Sequence, residues 1–119
     1  MIETIVYSYL KAKFADLAIG FEVPAEHTDS FIVIQSIASG ITDHINAVTL
    51  EFHCYAPSKY EAAVLNEELK KAMLGDDSVN DYGLATLDAI SSCKYGGGND
   101  APATNVKAYR YRSYYNLYY

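Results

Sequence analysis

The chain has 119 residues, half of them hydrophobic and a fifth charged, with a formal net charge of −6. That length makes one domain (1–119) with enough interior to fold without disulfides or metals, and the acidic balance excludes the Lys/Arg clusters that grip nucleic-acid backbones or anionic membranes. No apolar run reaches the roughly 20 residues of a membrane-spanning helix. The first residues, with Glu3 in place of a basic region, do not read as a signal peptide, so the expected site of synthesis and residence is the cytoplasm.

In chain order, Ile2, Ile5, Val6, Tyr9, Leu10, Phe14 and Leu17 recur at helical spacing and predict an amphipathic helix over 2–17, stopped by Gly20. Residues 21–24 form a short extended segment ending in Pro24, which suits an edge or a lead-in. Residues 25–30 read as a polar loop, with His27 near Asp29 but no nucleophile to serve.

Residues 31–37 are rich in β-branched residues and apolar on both sides, the pattern of a more central strand or of one covered on both faces. The next run alternates strictly. Val48, Leu50, Phe52 and Cys54 share one side, expected to be buried. Thr49, Glu51, His53 and Tyr55 share the other, expected to be wet. Gly40 and the polar residues Thr42, Asp43, His44 and Asn46 between the runs predict a long hairpin with its tip at 39–46. The rest of the chain is arranged around that hairpin.

Pro57 ends the strand. Ser58 with Glu61 makes a capping box for a helix to Leu74, with Ala62, Leu65, Leu69, Ala72 and Met73 facing inward and Gly75 at the C-terminal stop. Asp76, Asp77, Asn80 and Asp81 lack the spacing and terminal Glu of a calcium loop and read as a solvated turn. A weakly patterned strand is predicted within 87–95. The run Gly96-Gly97-Gly98-Asn99-Asp100-Ala101-Pro102 reads as a flexible turn, since the lysine and helix of a phosphate loop are missing. A final strand is predicted over 106–118. Tyr109, Tyr111, Ser113, Tyr115 and Leu117 fall on one face, and Arg110, Arg112, Tyr114 and Asn116 on the other. Of the 12 tyrosines, six lie in the last eleven residues; they read as rings that cover the helices, or in part as a subunit interface, where Tyr is enriched.

Together these elements predict an α+β fold. Its sheet is mostly antiparallel, of about four to five strands, with two helices packed on one face. No catalytic, cofactor or metal site is predicted. Cys54 and Cys93 fit no metal spacing, and His27, His44 and His53 are scattered over a loop, a hairpin tip and a strand with no matched nucleophile and base. Cys54 on the apolar side of its strand reads as a small buried hydrophobe.

The order of these parts resembles the small tail-completion proteins of tailed bacteriophages, the tail terminators and their head–tail joining relatives. The resemblance rests on the N-terminal helix, the Phe-Ile-Val-Ile-Gln strand at 31–35 and a second strand ending in Tyr55-Ala56. It continues in the Ser-x-x-x-Ala-x-x-Leu helix (Ser58, Ala62, Leu65) and the Tyr-Arg-Tyr-Arg-x-Tyr-Tyr strand at 109–115. Relatives often carry Trp or Phe with Gly where this chain has Cys54-Tyr55-Ala56. The resemblance implies a structural virion protein of the tail or neck that acts as a homo-oligomeric ring, six subunits being the family pattern. Its implied partners are a tail-tube protein and a head-completion or connector protein, with no membrane and no nucleic-acid sequence. The candidate subunit interface is Glu51, His53, Arg110, Arg112 and Tyr114. The candidate partner-facing loops hold Thr42, Asp43, His44, Asn99 and Asp100, within the hairpin tip and the 96–105 segment. The alternative reading is a small α+β module that recognises a protein by edge-strand or loop contacts. A small enzyme is a third.

Overall fold

The computed structural model of the chain describes residues 2–22, 30–42, 45–75, 83–87, 90, 92–102 and 109–119. In chain order the elements are helix α1 (Ile2–Lys13), strands β1 (Ala18–Gly20), β2 (Phe31–Thr42) and β3 (Ile45–Ala56), helix α2 (Lys59–Leu74), a 3-10 turn (Gly83–Thr86), and strands β4 (Ser92–Pro102) and β5 (Tyr109–Tyr118). The strands make one sheet in the order β1-β2-β3-β5-β4, antiparallel except for the β1–β2 pair. With two helices beside it, this is the α+β architecture expected.

The hairpin of β2 and β3 is the frame. β3 is central, pairing along its length with β2 on one side and β5 on the other. Its alternation works as expected on the helix side, where Val48, Leu50, Phe52 and Cys54 are buried. They meet Ile2, Val6 and Leu10 of α1, Leu65, Leu69, Ala72 and Met73 of α2, and Tyr115 and Leu117 of β5 in a single core. Phe52 packs edge-on against Tyr115, with ring centroids 5.4 Å apart. Tyr9 Oη donates to the Ala72 carbonyl at 2.7 Å, which ties the two helices together.

The α2 boundaries follow the local chemistry. Ser58 Oγ accepts from the Glu61 N–H at 3.1 Å, and Gly75 at φ 93° donates its N–H to the Lys71 carbonyl. The Glu61 carboxylate meets the Ser58 hydroxyl at 3.1 Å, and thereby completes the box through the side chain. Every residue expected on the inner side of α2 is buried, and Asn66 joins them.

Three expectations are corrected. First, α1 ends at Lys13. The short strand comes earlier than 21–24, at Ala18–Gly20, where it runs parallel to Phe31, Ile32 and Val33. Phe14 and Leu17 keep helical spacing in sequence, but the chain turns there, held by the Phe14 N–H on the Leu10 carbonyl and by Lys11 Nζ donating to the Leu17 carbonyl at 3.0 Å. Second, the glycine run is no turn. Residues 96–102 continue β4, with Gly98, Asn99 and Asp100 opposite Ser113, Arg112 and Tyr111, so Asn99 and Asp100 belong to a ladder and not to a loop. Leu87 lies before this strand, just after the 3-10 turn. Third, His53 is buried at 7% exposure, and Tyr55 is buried with it.

Residues 23–29, with most of the expected 25–30 loop including His27 and Asp29, the expected hairpin-tip residues Asp43 and His44, residues 76–82 of the expected acidic turn, and residues 103–108, with the first three of the expected last strand, lie outside the described residues. No described helix is long and apolar enough to cross a membrane.

Candidate interaction surface

The face of the sheet away from the helices gathers the sequence-predicted interface residues. Register sets them side by side. Glu51 lies opposite Tyr114, His53 opposite Arg112 and Tyr55 opposite Arg110. Six polar or aromatic side chains therefore share one patch because two strands alternate in step.

Within the patch the charges are already engaged. His53 Nε2 lies 2.8 Å from Glu51 Oε1, and Arg112 Nε lies 3.9 Å from the same oxygen. The imidazole contact is short but lacks hydrogen-bond alignment. Burial holds the His53 imidazolium below its ordinary range. Glu51 opposes that shift, while Arg110 and Arg112 reinforce it. His53 is thus neutral at pH 7, and Glu51 takes its main counter-charge from Arg112, whose side chain is 41% exposed. At the next step along the strands, Thr49 Oγ1 donates to Asn116 Oδ1 at 2.8 Å.

An apolar cluster explains why this face is drier than alternation predicts. Phe31 and Val33 of β2 join Tyr55 of β3, with Ala18 of β1 against them. Phe31 and Tyr55 stack at 4.5 Å with their planes 14° apart, and His53 lies parallel beyond Tyr55 at 6.4 Å. The two-sided apolar character of 31–37 was the sequence signal for this cluster. Its consequence for His53 needed the cross-strand partner, which sequence does not display.

Tyr114 has a role that the sequence hid. Its ring lies over the glycine run of β4, and a Cβ at Gly96 would come within 2.7 Å of Tyr114 Cδ2. The ring supplies the cover that the glycines lack, as aromatic neighbours do for glycine in edge strands. On the other face, the Tyr95 hydroxyl lies over Gly98, and Lys70 Nζ of α2 sits 4.4 Å above the Tyr95 ring.

The chemistry of the patch is charge pairing and aromatic contact. Among the described residues, no three His, Cys, Asp or Glu side chains come together. Both cysteines are unbonded; burial pushes the Cys93 thiol up to about 12 and that of Cys54 higher, the opposite of an activated nucleophile. Of the loop candidates, Thr42 is the last residue of β2 and pairs with Ile45, while Asn99 and Asp100 lie on β4. No family model matches the chain, and no curated protein matches it.

Proposed function

We propose that the chain is a structural subunit of a phage virion that completes or caps the tail tube and joins it to the head, working as a homo-oligomeric ring of six. It is made in the host cytoplasm and ends in the tail or neck. Its partners are other copies of itself, the tail-tube protein and a head-completion or connector protein. The ordered motifs and the α+β element order support this reading.

The observation that carries it is the loading of β5. Tyr109, Tyr114 and Tyr118 all reach solvent on this one strand, next to the half-exposed Arg112. Tyrosine offers large, rigid, amphipathic contact area, and arginine is its usual companion in interfaces. In this reading the role is structural, with Glu51 facing Arg112 and His53 buried beside it. A contact between two different patches of identical subunits either closes into a ring or runs on as a filament, and a tail end requires closure.

Purified protein mixed with phage tail tubes tests the reading by electron microscopy. Density confined to one tube end, with six-fold rotational symmetry, is the expected result. Tubes left bare, or decorated along their length, would remove the assignment. The binding-module alternative keeps one specific observation in its favour, the outer stretch of β2 at 34–42, which has no strand beside it among the described residues.

A further inference from the structure

The two edges of the sheet are unlike. β1 covers β2 only at Phe31, Ile32 and Val33, so residues 34–42 of β2 have no strand beside them among the described residues. At the opposite edge β4 carries an exposed Lys94 and ends at Pro102, both of which blunt an edge against further pairing. Each edge strand has a bulge, at 36–38 in β2 and at 95–97 in β4. Charge and proline make the difference, because residues 34–42 contain neither. Two of their three isoleucines face solvent, Ile37 at 51% and Ile41 at 74% exposure, while Ile34 belongs to the core.

Both isoleucines lie toward the helix side. Ile41 pairs with Asn46, which shares the face of Val48 and Leu50. Ile37 lines an open cleft of about 620 Å³ together with Glu3 and Thr4 of α1, Phe21 and residues 34–36.

We propose that this edge pairs antiparallel with the same edge of a second copy, about a two-fold axis at Ser39. In that register Ile37 lies opposite the partner's Ile41, and Ile41 opposite the partner's Ile37. One geometry thus makes two cross-strand aliphatic pairs on one face. A seven-residue ladder, 36–42 on each copy, spans about 23 Å. Its neutrality suits self-pairing, since two copies of an acidic chain meet here with no like charges across the ladder. The blunted β4 is the poorer match for the same groups. The cleft leaves room for the end of the partner's hairpin. The pairing rests on the edge alone and not on the ring, whose contacts use the β5 surface.

Sedimentation across a concentration series tests it, on the unmodified protein and on the double variant Ile37→Lys/Ile41→Lys. The expected result is a dimer at micromolar concentration whose dissociation constant rises at least about tenfold in the variant, with unchanged circular dichroism. Ile41→Lys alone, at the more exposed position, serves if the double variant loses its fold. Ser39→Cys should give a disulfide-linked dimer under mild oxidation, and Lys94→Cys should not. A monomer at every concentration, a dimer indifferent to the lysines, or cross-linking through Lys94→Cys in place of Ser39→Cys overturns the proposal. Tail-tube binding without any lysine-sensitive dimer would overturn the edge pairing and leave the tail reading standing. Loss of a dimer in protein that never binds tail tubes would do the reverse.

Discussion

Phe52 and His53 are neighbours on β3 and both are buried, at 0% and 7% exposure, yet for different reasons. Phe52 faces the helices and is enclosed by apolar side chains from α2 and β5. His53 faces away from them and is enclosed by the Phe31–Tyr55 stack and by charges that answer one another. Around neutral pH the helix side is insensitive to pH, and it is intolerant of lost volume. The outer side is the reverse, because its order depends on protonation and on how rings lie over neighbours. A strand can thus be dry on both faces while only one of them is core.

Truncation sharpens the contrast most. Phe52→Ala should cost about 3 to 5 kcal/mol, as loss of a buried ring does, read from urea midpoints; a cost near that of an exposed site would mean that the core is misplaced. On the same side, Gly83→Ala should cost about 2 kcal/mol or more. Gly83 has φ 64°, and an added Cβ would lie 2.5 Å from the Gly75 nitrogen and 2.6 Å from the Met73 carbonyl oxygen, all backbone that cannot swing aside. A thermal scan showing an unchanged midpoint would contradict the close seating of the 3-10 turn on the end of α2.

On the outer side the obstacle is a side chain, so the cost is smaller and can be relieved. Gly96→Ala should lose about 1 kcal/mol by displacing the Tyr114 ring, and should lose clearly less in a Tyr114→Ala background. A double-mutant cycle measures that coupling; strict additivity would mean that Tyr114 does not cover the glycines.

Near neutral pH, among the described residues, the pH signature belongs to the outer side. The folded pKa of His53 is depressed, so between that lowered value and the unfolded value of about 6.5 the unfolded chain binds more protons. The His53 contribution is therefore fully present above about pH 6.5 and is lost as pH falls through 6.5 toward the folded value. His53→Gln should flatten the slope of stability against pH in that window. An unchanged slope in chemical denaturation would show that His53 is not held neutral.

What the sequence disclosed follows from how local each cause is. The alternation at 48–54, the Ser58–Glu61 box with Gly75, and the two faces of β5 are set by neighbours in the chain, and each was legible. The end of α1 at Lys13 was not, because the turn at 14–17 is fastened by Lys11 and not by a glycine or proline at that point. The glycine run reads as a turn because its side chains say nothing. It is a strand because Tyr114 and Tyr95 cover it, one from another strand and one across the bulge. The burial of His53 was hidden for a similar reason. Phe31, Tyr55 and Arg112 reach it through register, and register is a property of the assembled sheet.

The central claim is that the β5 surface serves a ring at the end of a tail tube. The most direct measurement is the count of subunits bound per tube end, by mass measurement of tubes before and after saturation. The account predicts six copies, abolished by Arg112→Glu with Tyr114→Ala while the fold is kept. Saturation at a number proportional to tube length, or six copies retained in that variant, would contradict it.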